Sequence, residues 1–104
     1  MLRQLWSRGS PPPAPQSSRF QRSTQVTNVD HGDKTVLLDA RSEQFFSLDE
    51  TGKLIWAIMA VPRTAAEIVD SLRAQFDVPR EQLMSDVTAF LDELHRERLI
   101  EAVR

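Results

Sequence analysis

The chain has 104 residues, a formal net charge of −2 and no cysteine. That length supports one small domain, and the missing cysteines exclude disulfides and thiol chemistry. Residues 24–104 set nine basic against fifteen acidic residues. A nucleic-acid domain usually shows a basic face that neutralises phosphate, so this sign argues against nucleic acid as a partner.

Residues 1–23 differ in kind: they hold four arginines, four of the six prolines and no acid. Such a stretch has too little contiguous apolar surface to offset its ordering entropy, so it is expected to be a disordered, proline-rich basic tail. Pro11-Pro12-Pro13 favours an extended polyproline conformation within it. Leu2, Leu5 and Trp6 offer one apolar docking turn as the alternative. No apolar run is long enough for a signal peptide or an anchor, so no membrane role is expected and a cytoplasmic location fits. The domain is then 24–104.

Thr24–Val29 is rich in β-branched residues and reads as a first strand. Asp30-His31-Gly32-Asp33 supplies a turn, with Gly32 able to adopt positive φ. Lys34–Leu38 reads as the second strand and Glu43–Leu48 as the third. The period-two alternation puts Phe46 and Leu48 on one face of that third strand, with Phe45 and Ser47 on the other. Three short strands joined by tight turns imply an antiparallel meander.

The hydrophobic period then changes from two to 3.6. Asp49 suits the N-cap of a helix carrying Leu54, Ile55, Ile58 and Met59. Gly52, in its first turn, would let that helix approach the sheet closely. Thr64-Ala65-Ala66-Glu67 is a capping box opening a second helix. Pro79 starts a third, with Leu83, Val87, Phe90, Leu91 and Leu94 as its apolar stripe. Leu99, Ile100 and Val103 are expected to fold back on the sheet. The fold class is α+β and winged-helix-like: a three-stranded antiparallel sheet followed by three helices.

Catalytic equipment is sparse. No His-x-x-x-His or His-Glu-x-x-His pair exists for zinc, and no glycine-rich loop for phosphate. Asp92 and Glu93 are neighbours on a helix and point about 100° apart, so they make no carboxylate pair. The chain is expected to be no enzyme, with no cofactor and no metal.

Val36-Leu37-Leu38-Asp39, then Phe45-Phe46-x-Leu48-Asp49-x-x-Gly52-x-x-Ile55-Trp56, is followed by Thr64-x-x-Glu67-Ile68 and Asp86-Val87-x-x-Phe90-Leu91-x-x-Leu94. This series, over about residues 29–103, resembles the PqqD-like family of peptide chaperones, the recognition elements of ribosomally made, post-translationally modified peptides. The family's quinone-cofactor members tend to carry Tyr-Pro-Glu-Gly and a late Gly-Trp. Here Leu38-Asp39-Ala40-Arg41 and Arg98-Leu99-Ile100-Glu101 stand in those regions, closer to stand-alone lasso-peptide members.

The resemblance implies that a precursor's leader peptide adds as a strand to the third strand beside the third helix. Its partner would be a modifying enzyme or leader peptidase. The implied contacts are Glu43, Gln44, Phe45, Phe46 and Ser47 on the strand. On the helix, Met84, Thr88, Leu91 and His95 follow one face; Met84 and Leu91 read equally well as core. The acids Glu43, Glu81, Asp86 and Asp92 would favour a leader carrying Lys or Arg. An open strand edge allows a monomer or a weak homodimer. A winged-helix DNA regulator, a structural adaptor and a chaperone of the quinone pathway remain the competing readings. Against the first, the third helix carries three arginines and five acids between Arg80 and Arg98.

Overall fold

The computed structural model describes residues 2–4 and 18–103. The central meander is β3 (Val26–His31), β4 (Lys34–Asp39) and β5 (Gln44–Leu48). β3 pairs antiparallel with β4, and β4 with β5. Gly32 makes the first turn at φ 66°, a conformation open to glycine at no steric cost. The second turn uses a non-glycine residue, Glu43 at φ 57°. Its N–H donates to the Asp39 carbonyl at 2.8 Å, while the Asp39 carboxylate accepts from the Arg41 N–H at 3.0 Å. Glu43 therefore belongs to the turn, and the third strand begins at Gln44 rather than at Glu43.

Three helices follow: α1 (Glu50–Ile58), α2 (Ala65–Arg73) and α3 (Arg80–Arg96). Asp49 caps α1 by accepting from the Gly52 N–H at 2.8 Å. Thr64 and Glu67 close the expected capping box on α2. All five stripe residues of α3, from Leu83 to Leu94, are buried. The α+β class and the three-helix count expected from periodicity hold.

The folded body starts earlier than Thr24. Arg19–Arg22 forms β2, the middle strand of a second, three-stranded antiparallel sheet between β6 (Arg63–Thr64) and β7 (Ile100–Val103). Phe20 is 2 % exposed within the main core. The Arg22 guanidinium lies 5.0 Å from the Trp56 ring centroid and donates to the Trp56 carbonyl oxygen. This pins β2 to α1, and burial lowers the Arg22 pKa below its usual value. Ile100 and Val103 thus fold onto a small separate sheet, not onto the meander.

Leu2–Gln4 forms β1, which lies parallel to β5 and completes a four-stranded sheet of order β1-β5-β4-β3. This segment is a strand rather than an apolar turn; Leu5, Trp6 and the proline run lie outside the described residues.

Candidate functional site

β5 is the strand on which the site is built. One of its edges is taken by β4 and the other, over Phe45–Ser47, by β1. Phe46 and Leu48 are each 1 % exposed and belong to the core, whereas Phe45 and Ser47 turn away from it, Phe45 being 40 % exposed. Of the strand residues read as peptide contacts, Phe46 can contribute only backbone, because its ring is buried.

α3 passes β5 in the opposite direction, as two clefts show. At the end of β5, a mostly apolar cleft of about 180 Å³ lies between Asp49, Ile55 and Leu72 on one side and Leu83, Asp86 and Val87 on the other. At its start, a polar cleft of about 310 Å³ brings Gln44 and Arg41 to Arg96 and Arg98. Gly52 makes the close approach possible: a Cβ there would stand 3.2 Å from Phe90 Cζ and 3.3 Å from Leu48 Cβ.

The single helical face expected from Met84, Thr88, Leu91 and His95 divides. Met84 and Thr88 are half-buried, and Thr88 Oγ1 is buried with no hydrogen-bond partner among the described residues. Leu91 is 2 % exposed and is a core residue. His95 packs its ring edge-on to Phe20, with centroids 5.5 Å apart, and is exposed in a cleft shared with Arg41 and Arg98. Spacing of i, i+4, i+7 and i+11 does not by itself single out a groove face, because a helix covered on two sides buries more than one stripe.

The acids divide as well. Asp86 lines the apolar cleft, joined there by Asp49, while Asp92 is 6 % exposed and therefore withdrawn from any peptide. Leu83 and Val87 are cleft residues that sequence reasoning assigned to the core alone; their i, i+4 spacing carries both roles. Asp39 anchors the opposite end. Burial would raise its pKa, but hydrogen bonds from the Arg41 side chain and N–H, together with the Arg41 charge, hold it below the usual carboxylate value. Arg41 also donates to the Arg98 carbonyl oxygen at 2.6 Å, tying the β4–β5 turn to the exit of α3.

Among the described residues no cluster of three or more His, Asp or Glu stands ready for a metal ion, and no helix is long and apolar enough to cross a membrane. What the site presents is a strand edge flanked by an apolar cleft with an acidic rim at one end and an arginine-rich cleft at the other.

A strand edge is a surface to which an extended peptide can add. Residues 34–100 match the family described as Coenzyme PQQ synthesis protein D (PqqD), and the chain belongs to that family. Among solved structures it is similar to TbiB1 in complex with the TbiA(beta) leader peptide, at 30% identity and TM-score 0.75, covering 81% of this chain and 98% of that one. It is also similar to a lasso peptide synthetase B1 complexed with the leader peptide, at 24% identity and TM-score 0.69, covering 82% and 98%. A third is the PqqD truncation of Methylobacterium extorquens PqqCD, described as a functional and stand-alone recognition element, at 20% identity and TM-score 0.71, covering 84% and 93%. The last two bear on the fold alone. No curated protein matches the chain. The family resemblance carried by the Leu48-Asp49-x-x-Gly52-x-x-Ile55-Trp56 unit is borne out.

Proposed function

We propose that this chain is a non-catalytic, cytoplasmic recognition element. It binds the leader segment of a ribosomally made precursor peptide and presents the rest to a modifying enzyme or leader peptidase. The observation that carries the reading is the β5 edge, which accepts an added strand over Phe45–Ser47. The likeness to a leader-bound TbiB1 supports the choice of a leader as that strand.

Energetics require more than backbone pairing. Four or five edge hydrogen bonds at roughly 0.5–1.5 kcal/mol each supply about 2–7 kcal/mol before ordering costs. Micromolar affinity needs about 8 kcal/mol. One large apolar leader side chain buried in the cleft between Ile55, Leu83 and Val87 adds about 1.5–3 kcal/mol. The outward side chains of Phe45 and Ser47, with Met84 and Thr88 on α3, contribute the remaining selectivity. The Gln44 backbone extends the pairing beyond the three residues that β1 covers.

An amide-resolved NMR titration tests this, using the full chain and synthetic leader peptides of precursors encoded beside its gene. Saturable shifts at Gln44–Leu48 and at Leu83–Thr88 are expected. Shifts confined to another face, or saturation by unrelated extended peptides with equal affinity, would dismiss a leader-specific edge.

A further inference from the structure

The edge that accepts a peptide is not bare in the chain itself. Leu2, Arg3 and Gln4 are in parallel register with Phe45, Phe46 and Ser47, so the chain's own segment covers three of the five residues of β5. We propose that Leu2–Gln4 is an intramolecular competitor for the leader: β1 occupies the β5 edge at rest and must leave when a leader adds. This inference rests on the leader reading of the same edge and adds a regulation to it.

Three features of β1 suit a displaceable occupant. It is three residues long, against five in β5, and a leader strand pairing the whole edge would outnumber its hydrogen bonds. It pairs in parallel, the slightly less stable of the two ladder geometries per residue. It is also tethered. Residues 5–17 join it to Ser18 at the start of the second sheet, and thirteen residues reach at most about 45 Å when extended. The longest dimension of the described body is 36 Å, so the tether is long enough to serve the edge from β2. Covalent attachment to the same chain raises the effective concentration of β1 at the edge. That sustains in one molecule a contact too weak to form between two.

The resting cover has a second consequence. An uncovered strand edge is a template for pairing with another chain, and β1 blocks it on the β5 side. A leader's apparent dissociation constant rises in inverse proportion to the fraction of molecules whose edge is open. An edge open in about a tenth to a third of molecules therefore weakens leader binding about three- to tenfold.

The test compares the full chain with its Arg3→Pro/Gln4→Pro variant. Along a strand, successive amides face opposite sides, so the adjacent pair removes whichever donor faces β5. Unchanged exchange of the β2, α2 and α3 amides verifies the fold. Two readouts are taken: amide hydrogen exchange across β5, and affinity for a synthetic leader peptide of a precursor encoded beside the gene. In the variant, free-edge amides within Phe45–Ser47 should exchange about three- to tenfold faster, and the leader should bind tighter by a similar factor. An Arg3→Gln variant, which loses the charge and keeps the amide, should match the unsubstituted chain in both.

Unchanged β5 exchange in the proline variant overturns self-occupancy, whatever the leader does. Faster exchange with identical leader affinity overturns the competition. An Arg3→Gln variant behaving like the proline variant overturns the strand mechanism in favour of a charge contact. Faster exchange with no leader binding by either chain upholds the occupied edge and dismisses the leader reading.

Discussion

Gly52 and Phe90 pack so closely that a side chain at position 52 would force its neighbours to shift. A Cβ on Gly52 would lie 3.2 Å from Phe90 Cζ, with Leu48 Cβ and Asp49 Oδ1 both at 3.3 Å. Gly52 sits in the first turn of α1, where alanine would ordinarily gain about 0.5–1 kcal/mol. Overpacking a buried contact costs about 1–3 kcal/mol; of the three obstructing atoms Leu48 Cβ is fixed to the backbone and Asp49 Oδ1 is held by its capping hydrogen bond. Gly52→Ala should therefore destabilise by about 1 kcal/mol and Gly52→Val by about 3 kcal/mol, read as a fall in the urea midpoint at constant slope. A neutral Gly52→Val would mean that Phe90 moves aside freely and that the groove is not set by this contact.

Phe20 carries the start of the fold. It is 2 % exposed, while Arg19 beside it makes a surface ion pair with Glu67 at 2.7 Å. Phe20→Ala should cost about 3–5 kcal/mol, and Arg19→Ala, which breaks only a solvent-exposed pair, far less. Thermal or urea unfolding separates them. Equal, small effects would return the boundary of the folded unit to Thr24.

That contrast also shows what was legible in the sequence. Strands β4 and β5 and all three helices announce themselves locally, by alternation at Phe45–Leu48, by the Thr64/Glu67 capping box and by the stripe from Leu83 to Leu94. β2 does not. Its four residues, Arg-Phe-Gln-Arg, hold one apolar side chain in a basic, proline-rich context, and they become a strand only by pairing with Ile100–Val103, nearly the whole chain away. A local reading weighs composition against entropy and cannot see such a partner. The site divides the same way. Phe45 and Ser47 are correctly placed outward by period two, but the position of His95 depends on Phe20, and that of Leu91 on cover from a second layer.

Asp39 makes stability depend on acid. The residue is 4 % exposed and its carboxylate accepts from Arg41, which holds its pKa below the unfolded value despite burial. A depressed carboxylate pKa adds stability above the unfolded value of about 3.9, and that stability is lost as pH falls through the lower folded value. Asp39→Asn should lower stability at neutral pH by about 1–3 kcal/mol, the worth of hydrogen bonds to a charged group. It should also flatten the fall below about pH 4. Denaturation midpoints measured from pH 7 to pH 2 test the sign. A variant as acid-sensitive as the parent would place the titrating group elsewhere.

The acidic rim of the apolar cleft should select for a basic residue in the leader. Asp49 and Asp86 flank the opening above Ile55, Leu83 and Val87, so an apolar leader side chain seated there brings its neighbours past two carboxylates. Asp49 also caps α1 through the Gly52 N–H, but asparagine caps about as well as aspartate, so Asp49→Asn removes the charge and spares the helix. Pairs this close to solvent contribute about 0.2–1 kcal/mol each. The Asp49→Asn/Asp86→Asn chain should therefore lose about two- to thirtyfold in affinity for a leader with Lys or Arg beside its anchor. Screening shortens the reach of charge to about 10 Å at 0.1 M salt and 3 Å at 1 M, so the deficit should shrink as salt rises. Calorimetric titrations of both chains at two salt concentrations give the answer. Equal affinities with equal salt dependence would mean that the leader does not pass the rim, and that the cleft of Leu83 and Val87 lies off its path.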